Sequence, residues 1–185
     1  MKRIFAIAVI LCLVAGILCA CSSVTAGEPK EEEIKAICEL ATIKCYYNNV
    51  AKITKEKDNI FQKDREMWME FEAEVAIGID MKDVSMIVAG NVVEVKLPQT
   101  KVLTQRVVED SFRYVSSTDG WLVKNKITVE DEQKAVIEAE KQVAEYANNN
   151  TEAFALAEKR AKELIENYIN ELGKYAETPY TINWK

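Results

Sequence analysis

Apolar and polar residues alternate through one long stretch in the middle of the chain. Between Glu66 and Asp80 every odd position is apolar and most even positions are acidic. Successive side chains of a strand point to opposite faces of a sheet, so this pattern predicts a strand with one buried and one solvated face. A noisier alternation at 41–53 predicts a second strand, with Ile43, Cys45 and Tyr47 sharing one face.

Two shorter runs predict two more strands. Residues 91–97 place Val93, Val95 and Leu97 on one face, and residues 101–109 are rich in the β-branched residues that favour strands. Gly90 and Asn91 give a turn signal before the first run. These four runs predict an antiparallel meander of about four strands.

Helical spacing replaces the alternation in the last third of the chain. Thr128 is suited to cap a helix that has an acidic first turn. The asparagines at 148–150 interrupt this helix, and Asn150 or Thr151 is suited to cap a second one. The second helix carries an apolar stripe from Phe154 to Leu172, and Gly173 is placed to end it.

The tail of the chain returns to alternation, since Tyr180, Ile182 and Trp184 share one parity. This pattern predicts a C-terminal strand that rejoins the sheet. Strands grouped before helices are typical of the α+β class. The predicted fold is therefore an antiparallel meander of about four strands, followed by two helices packed on one face of the sheet and a C-terminal strand.

The N-terminus has the layout of a secretory signal peptide. Lys2 and Arg3 precede an apolar run of about 15 residues, and small residues follow. Leu18 stands three positions before Cys21, and Ala20 directly precedes it. This spacing resembles the lipobox of bacterial lipoproteins, in which the cysteine becomes diacylglyceryl-modified with fatty acids such as palmitate. It predicts a signal peptide at 1–20 and lipidation at Cys21.

An uncleaved membrane anchor is the alternative for the same segment. Ile4 to Ala20 is at the short limit of what crosses a bilayer, and Lys2 and Arg3 give the same orientation. Either way the rest of the chain faces outward. Residues 21–33 are small, polar and acidic, which predicts a flexible tether, and 34–185 are long enough for one domain.

Charge and composition limit the function. The chain carries 24 basic and 30 acidic residues, and loss of Lys2 and Arg3 moves the net charge from −6 to −8. Because no basic stripe is present, we expect no nucleic-acid partner. The chain has no histidine, which excludes histidine-dependent nucleophilic catalysis and imidazole zinc sites. We therefore predict no catalytic residue, no metal site and no cofactor.

Three further features are candidates for a specific role. Cys38 and Cys45 remain after Cys21, and the spacing leaves open whether they are two free buried thiols or a disulfide. The even-numbered glutamates from Glu66 to Glu74 indicate a solvated strand face, with calcium binding as the alternative. Trp68 shares their parity, so it is a candidate contact for a partner.

Five short motifs also occur in order along the chain: Glu39–Thr42, Tyr46–Lys52, Gly78–Met81, Val95–Pro98 and Ala157–Gly173. Together they resemble an uncharacterised bacterial family, known only as a domain of unknown function and found in membrane-anchored proteins and lipoproteins. The resemblance covers about residues 34–185. It implies no activity, cofactor or catalytic residue, because none is assigned to the family.

These observations predict a lipoprotein on the extracytoplasmic face of the cell membrane. Its domain is expected to be a non-enzymatic module that binds an unknown protein or polymer of the cell envelope. The alternative is a carboxylate-based enzyme or small-ligand receptor acting on envelope material. A glycosidase would need two carboxyl groups facing each other at about 5–10 Å. A deep pocket with converging acids would favour this alternative, and a shallow surface with exposed aromatics would favour binding.

Overall fold

The computed structural model describes residues 27–55, 65–117 and 128–185. The predicted signal peptide and Cys21 lie outside these residues. Helices and strands follow in the order α1 (Glu31–Leu40), β1 (Ile43–Lys55), β2 (Arg65–Gly78), β3 (Ser85–Ala89), β4 (Val92–Lys96), β5 (Lys101–Val107), β6 (Arg113–Ser117), α2 (Val129–Asn149), α3 (Thr151–Tyr175) and β7 (Thr181–Trp184). The α+β prediction, with two long helices after the strands and a C-terminal strand, is confirmed.

The first sheet is antiparallel and is built around β2. Strand β1 lies on one side of β2 along its whole length, from Ile43 opposite Ile77 to Lys55 opposite Arg65. On the other side, β5 and β6 pair with the two ends of β2. The apolar odd positions of β2 face inward, and Phe71 is fully buried. The alternation of apolar and polar residues in β2 therefore correctly identifies which face of this sheet lies in the core.

The second sheet has the order β3-β4-β7. Gly90 and Asn91 connect β3 to β4 in a hairpin, and Gly90 takes a φ of 63°, which glycine adopts without a steric penalty. Strand β7 pairs with β4 in parallel. The single meander of about four strands is thus a simplification. Between α1 and α2, the described residues form six strands, which are divided between two sheets.

Two hydrophobic clusters hold these layers together. In the first, buried β2 residues pack against small residues of α2 and the start of α3, including Ala135, Ala139 and Ala157. In the second, α1 and the later part of α3 pack on the second sheet, with Ile165 and Val93 fully buried. Helix α3 therefore runs from one cluster to the other.

The predicted helix starts are confirmed by their caps. The Thr128 hydroxyl accepts from the Asp131 amide at 3.3 Å, while the Asp131 carboxylate accepts from the Thr128 amide at 3.0 Å. This reciprocal capping box satisfies two amides that a helix end leaves without partners. Asn150 caps α3 by accepting from the Ala153 amide at 3.1 Å.

The predicted end of the second helix at Gly173 is wrong by two residues. Helix α3 continues to Tyr175, and Gly173 is a buried residue within it. A Cβ atom at this position would lie 2.8 Å from the backbone oxygen of Thr178. The glycine is required for a close approach of the following chain and does not terminate the helix.

Ordered structure begins before the predicted end of the tether at residue 33. Helix α1 starts at Glu31, and it buries Ile34 and Cys38 in the second cluster. Just before the helix, Pro29 is buried, and the Gly27 carbonyl accepts a hydrogen bond from the Tyr180 hydroxyl at 3.2 Å. Within the three described ranges, no helix is both long and apolar enough to cross a membrane.

Candidate binding surface on the first sheet

One face of the first sheet is packed against α2, and we call the opposite face the outer face. It consists of the even positions of β1 and β2 and the residues that lie beside them in β5 and β6. These residues include Lys44, Tyr46, Asn48, Val50, Lys52, Thr54, Glu66, Trp68, Glu70, Glu72, Glu74, Arg106 and Arg113. The outer face is therefore a mostly polar surface that includes two aromatic rings.

Two glutamates of the outer face, Glu66 and Glu74, pair with basic side chains of adjacent strands. Lys52 Nζ lies 2.8 Å from a Glu66 carboxylate oxygen. The Arg106 guanidinium donates through Nε and Nη2 to one Glu74 oxygen, at 3.0 and 2.6 Å. Cross-strand pairs of opposite charge stabilise a sheet modestly, and exposure to water weakens them. The pairing is the arrangement expected for a solvated strand face.

No group of three or more acidic or cysteine side chains could hold a metal ion among the residues that the structure describes. Calcium takes six to eight oxygen ligands from several directions. The Glu66 and Glu74 carboxylates are instead paired with the Lys52 and Arg106 side chains of the same sheet. The predicted independence from metal remains to be measured.

The thermal midpoint of the purified domain should be the same in EDTA, in added calcium and in added zinc. A ligand that binds only the folded state must stabilise it, and a bound metal would therefore raise the midpoint. Differential scanning calorimetry measures this directly. A rise of several degrees in calcium would contradict the prediction. It would indicate that the row from Glu66 to Glu74 binds the ion.

Trp68 lies on the outer face, at the position that its parity predicts, with 37% of its surface exposed. Lys52 stands directly opposite in β1, and its ammonium group lies 5.1 Å from the centre of the indole ring. This distance is within the range of a cation–π interaction. Tyr46, farther along β1, is 74% exposed. The outer face thus presents one partly covered ring and one open ring.

The structure does not bring Cys38 and Cys45 together. Both thiols are free. Cys38 is fully buried in the second cluster, whereas Cys45 is half-buried against the first. Burial raises the pKa of the Cys38 thiol to about 11, because an apolar environment disfavours the thiolate. Of the two alternatives from the sequence, the structure has the pair of free thiols.

Iodoacetamide at pH 8 should alkylate Cys45 in the native protein well before Cys38. The thiolate is the reacting species, and a pKa near 11 leaves roughly one Cys38 thiol in a thousand ionised at this pH. Peptide mass spectrometry over time measures both rates, and labelling in urea provides the unfolded control. Equal rates in the native protein would show that Cys38 is not buried.

A polar and aromatic cluster at the junction of β1 and α2 has no counterpart in the sequence analysis. The rings of Tyr47 and Tyr146 stack with centroids 4.4 Å apart. The Asn49 amide donates to the Tyr47 hydroxyl at 2.7 Å and to the Gln142 side chain at 3.0 Å. Asn49 and Gln142 lie 93 residues apart in sequence, so no local sequence pattern predicts their contact. The cluster attaches α2 to the outermost strand of the sheet.

Two open depressions lie among the described residues, and the first shares Arg106 with the outer face. The first, of about 170 Å³, lies between β5 and α2, and its lining includes Arg106 and Glu140. The other, of about 470 Å³, lies at the end of α3. Glu171 and Glu177 line it, and Glu171 is paired with Lys174 at 2.6 Å. Neither depression has a predominantly apolar lining, unlike the pockets typical of small-molecule sites.

The fold and these surfaces define the class: the described residues form an α+β domain with two sheets, and none of their other elements covers the polar face of the first sheet. The chain belongs to the family described as a protein of unknown function, DUF4230, whose model matches residues 32–178. No curated protein and no solved structure matches the chain.

Proposed function

We propose that the protein is a lipoprotein of the cell envelope and that its domain is a non-enzymatic binding module. Lipid on Cys21 would hold the chain on the extracytoplasmic side of the membrane. The outer face of the first sheet would contact an envelope protein or polymer. The observation that carries the proposal is that no described element covers this face, which displays the exposed rings of Tyr46 and Trp68.

The N-terminal sequence supports the location. The charged start and the apolar run resemble a signal peptide, and the spacing from Leu18 to Cys21 resembles a lipobox. Two acyl chains anchor a protein stably, whereas one binds only marginally. The negative net charge gives no electrostatic attraction to anionic lipid, so the acyl chains would have to provide the attachment.

The composition of the outer face supports the binding role. Tyrosine and tryptophan are enriched at positions that dominate binding energies, because their rings bury much area with few rotatable bonds. Two pairs of opposite charge lie on the same face as these rings, Lys52 with Glu66 and Arg106 with Glu74. A partner can therefore cover this face without leaving those charges unpaired.

A photo-crosslinker at position 46 tests the proposal in living cells. The benzophenone amino acid replaces Tyr46 in one strain and Leu156, a half-exposed residue of α3, in a control strain. We expect a discrete crosslinked species from position 46 and none from position 156. Trp68→Ser, introduced together with the position-46 crosslinker, should reduce its yield. The same products from both positions, or a yield unaffected by Trp68→Ser, would contradict the outer face as the binding surface.

A further inference from the structure

Strand β1 forms a long edge of the first sheet. It has 13 residues, and all of them pair with β2 without a register shift. In the part of the chain that the structure describes, β2 is the only strand beside it. Ile43, Tyr47 and Asn49 face the core but are only half-buried, whereas Phe71 and Val75 of β2 are buried completely. The side of β1 that faces away from β2 is therefore open.

The other sheet edges are shorter or covered. Strand β3 has five residues, and its Met86 amide already donates to a Glu31 carboxylate oxygen of α1 at 3.1 Å. Strand β7 has four residues. The edge formed by β5 and β6 is interrupted by the turn Glu109–Ser111, and the register of each with β2 shifts once. Short strands, bulges and covering segments are the usual means of preventing unwanted pairing. Among the described residues, β1 has no bulge and no covering segment, and lysine is the one edge-protecting feature that it carries.

The charge of β1 indicates what could pair with it. The strand contains Lys44, Lys52 and Lys55 and no acidic residue, although the whole chain has a net charge of −6. Lys52 is paired with Glu66, whereas Lys44 is exposed beside Tyr46 and is therefore available to a partner. A second copy of β1 would add three more lysines, and like charges on adjacent strands are destabilising.

We propose that the open edge of β1 binds an extended, acidic segment of a partner protein, which adds as a further strand to the first sheet. Backbone hydrogen bonds provide affinity in this mode of binding, and alternate side chains provide specificity. The acidic side chains of the segment would lie on the outer face, near Lys44 and Tyr46. This inference names the partner class for the binding module proposed above and rests on that proposal.

Three blocked, fluorescent peptides test strand addition on the mature chain, residues 21–185, with Cys21→Ser to keep it soluble. The first alternates glutamate with valine or threonine over ten residues. The second has lysine in place of glutamate. The third has the first sequence with alternate backbone amides methylated, which removes donors but keeps the charge. Fluorescence anisotropy should show binding of the first peptide alone, with amide NMR shifts concentrated in β1.

Matched charge reversals separate the edge from general attraction. Lys44→Glu should weaken binding of the acidic peptide by about threefold to tenfold, as expected for charge reversal at an exposed position. Lys159→Glu on α3, where the lysine is 72% exposed, changes the net charge equally and should leave binding unchanged. Equal weakening by both variants, or full binding of the methylated peptide, would overturn strand addition.

Failure of the acidic peptide to bind would also overturn this inference, and sedimentation of the protein alone would show whether a second copy occupies the edge instead. The outcome is distinct from failure of the proposed function. Crosslinking from position 46 that persists in the Lys44→Glu variant, without peptide binding, would keep the outer face as a binding surface and remove the edge from it. Loss of crosslinking from position 46, with binding of the acidic peptide intact, would keep the edge of β1 as a binding site and remove the outer face.

Discussion

Replacing Ile77 by alanine should lower the free energy of unfolding by about 2–4 kcal/mol, the usual cost of truncating a buried aliphatic side chain. Ile77 is fully buried in the first cluster, at an odd position of β2. Its removal loses apolar burial and leaves a cavity beneath α2. Urea denaturation followed by circular dichroism measures the change. If the slope of the unfolding free energy against urea concentration is unaltered, the substitution has not changed the unfolded state.

Glu74→Ala provides the matched control, three positions away on the opposite face of the same strand. It should change the free energy of unfolding by no more than about half a kcal/mol, because exposed ion pairs contribute little. The Arg106 side chain that pairs with Glu74 is 70% exposed. Comparable losses from Ile77→Ala and Glu74→Ala would contradict the assignment of the two faces of β2.

Replacing Cys21 by serine should abolish incorporation of labelled palmitate and leave the full-length precursor uncleaved. The acyl group needs the thiol, and in the lipobox interpretation cleavage follows acylation. Metabolic labelling and the apparent mass on a gel measure both effects. The protein should also leave the membrane fraction unless the unprocessed apolar segment holds it there, so labelling is the decisive measurement.

Cys19→Ser is the control for this prediction. Leu18, a bulky residue, directly precedes Cys19, whereas the small Ala20 precedes Cys21. Labelling and cleavage of the Cys19→Ser variant should match those of the unaltered protein. Continued labelling of the Cys21→Ser variant would contradict the lipobox, and with it the lipid anchor that the proposed function requires.

The elements with strong periodicity could be predicted from the sequence. The parity of β2 correctly separates Val75 from Glu74, and the polar side chains of Thr128 and Asn150 mark two helix starts. The sequence pattern did not predict strand β3, because its apolar residues at 86–89 are consecutive and do not alternate with polar ones. Its five residues include Ile87, which is 64% exposed, so both faces of the strand carry apolar side chains.

Long-range arrangement was beyond the sequence patterns. Alternation in β7 predicted a strand but not its partner, since parallel pairing of Ile182 with Val93 depends on where α3 ends. On the candidate surface, parity predicted the position of Trp68, but nothing local indicated that Lys52 would lie over its ring. The two residues are brought together by the register of β1 and β2, which is fixed over 13 residue pairs.

The contact between Gly27 and Tyr180 would limit how far the outer face stands from a membrane if Cys21 carries a lipid. Only residues 22–26 separate Cys21 from Gly27, and a fully extended chain of that length spans about 20 Å. Gly27 meets the domain beside Ala176, at the end of α3, whereas Ala153 and Ala157 at its start belong to the first cluster. The 25 residues of α3 measure about 37 Å. A lipid on Cys21 would therefore keep the second sheet close to the bilayer, while α3 acts as a spacer that carries the first sheet one helix length away from the attachment point.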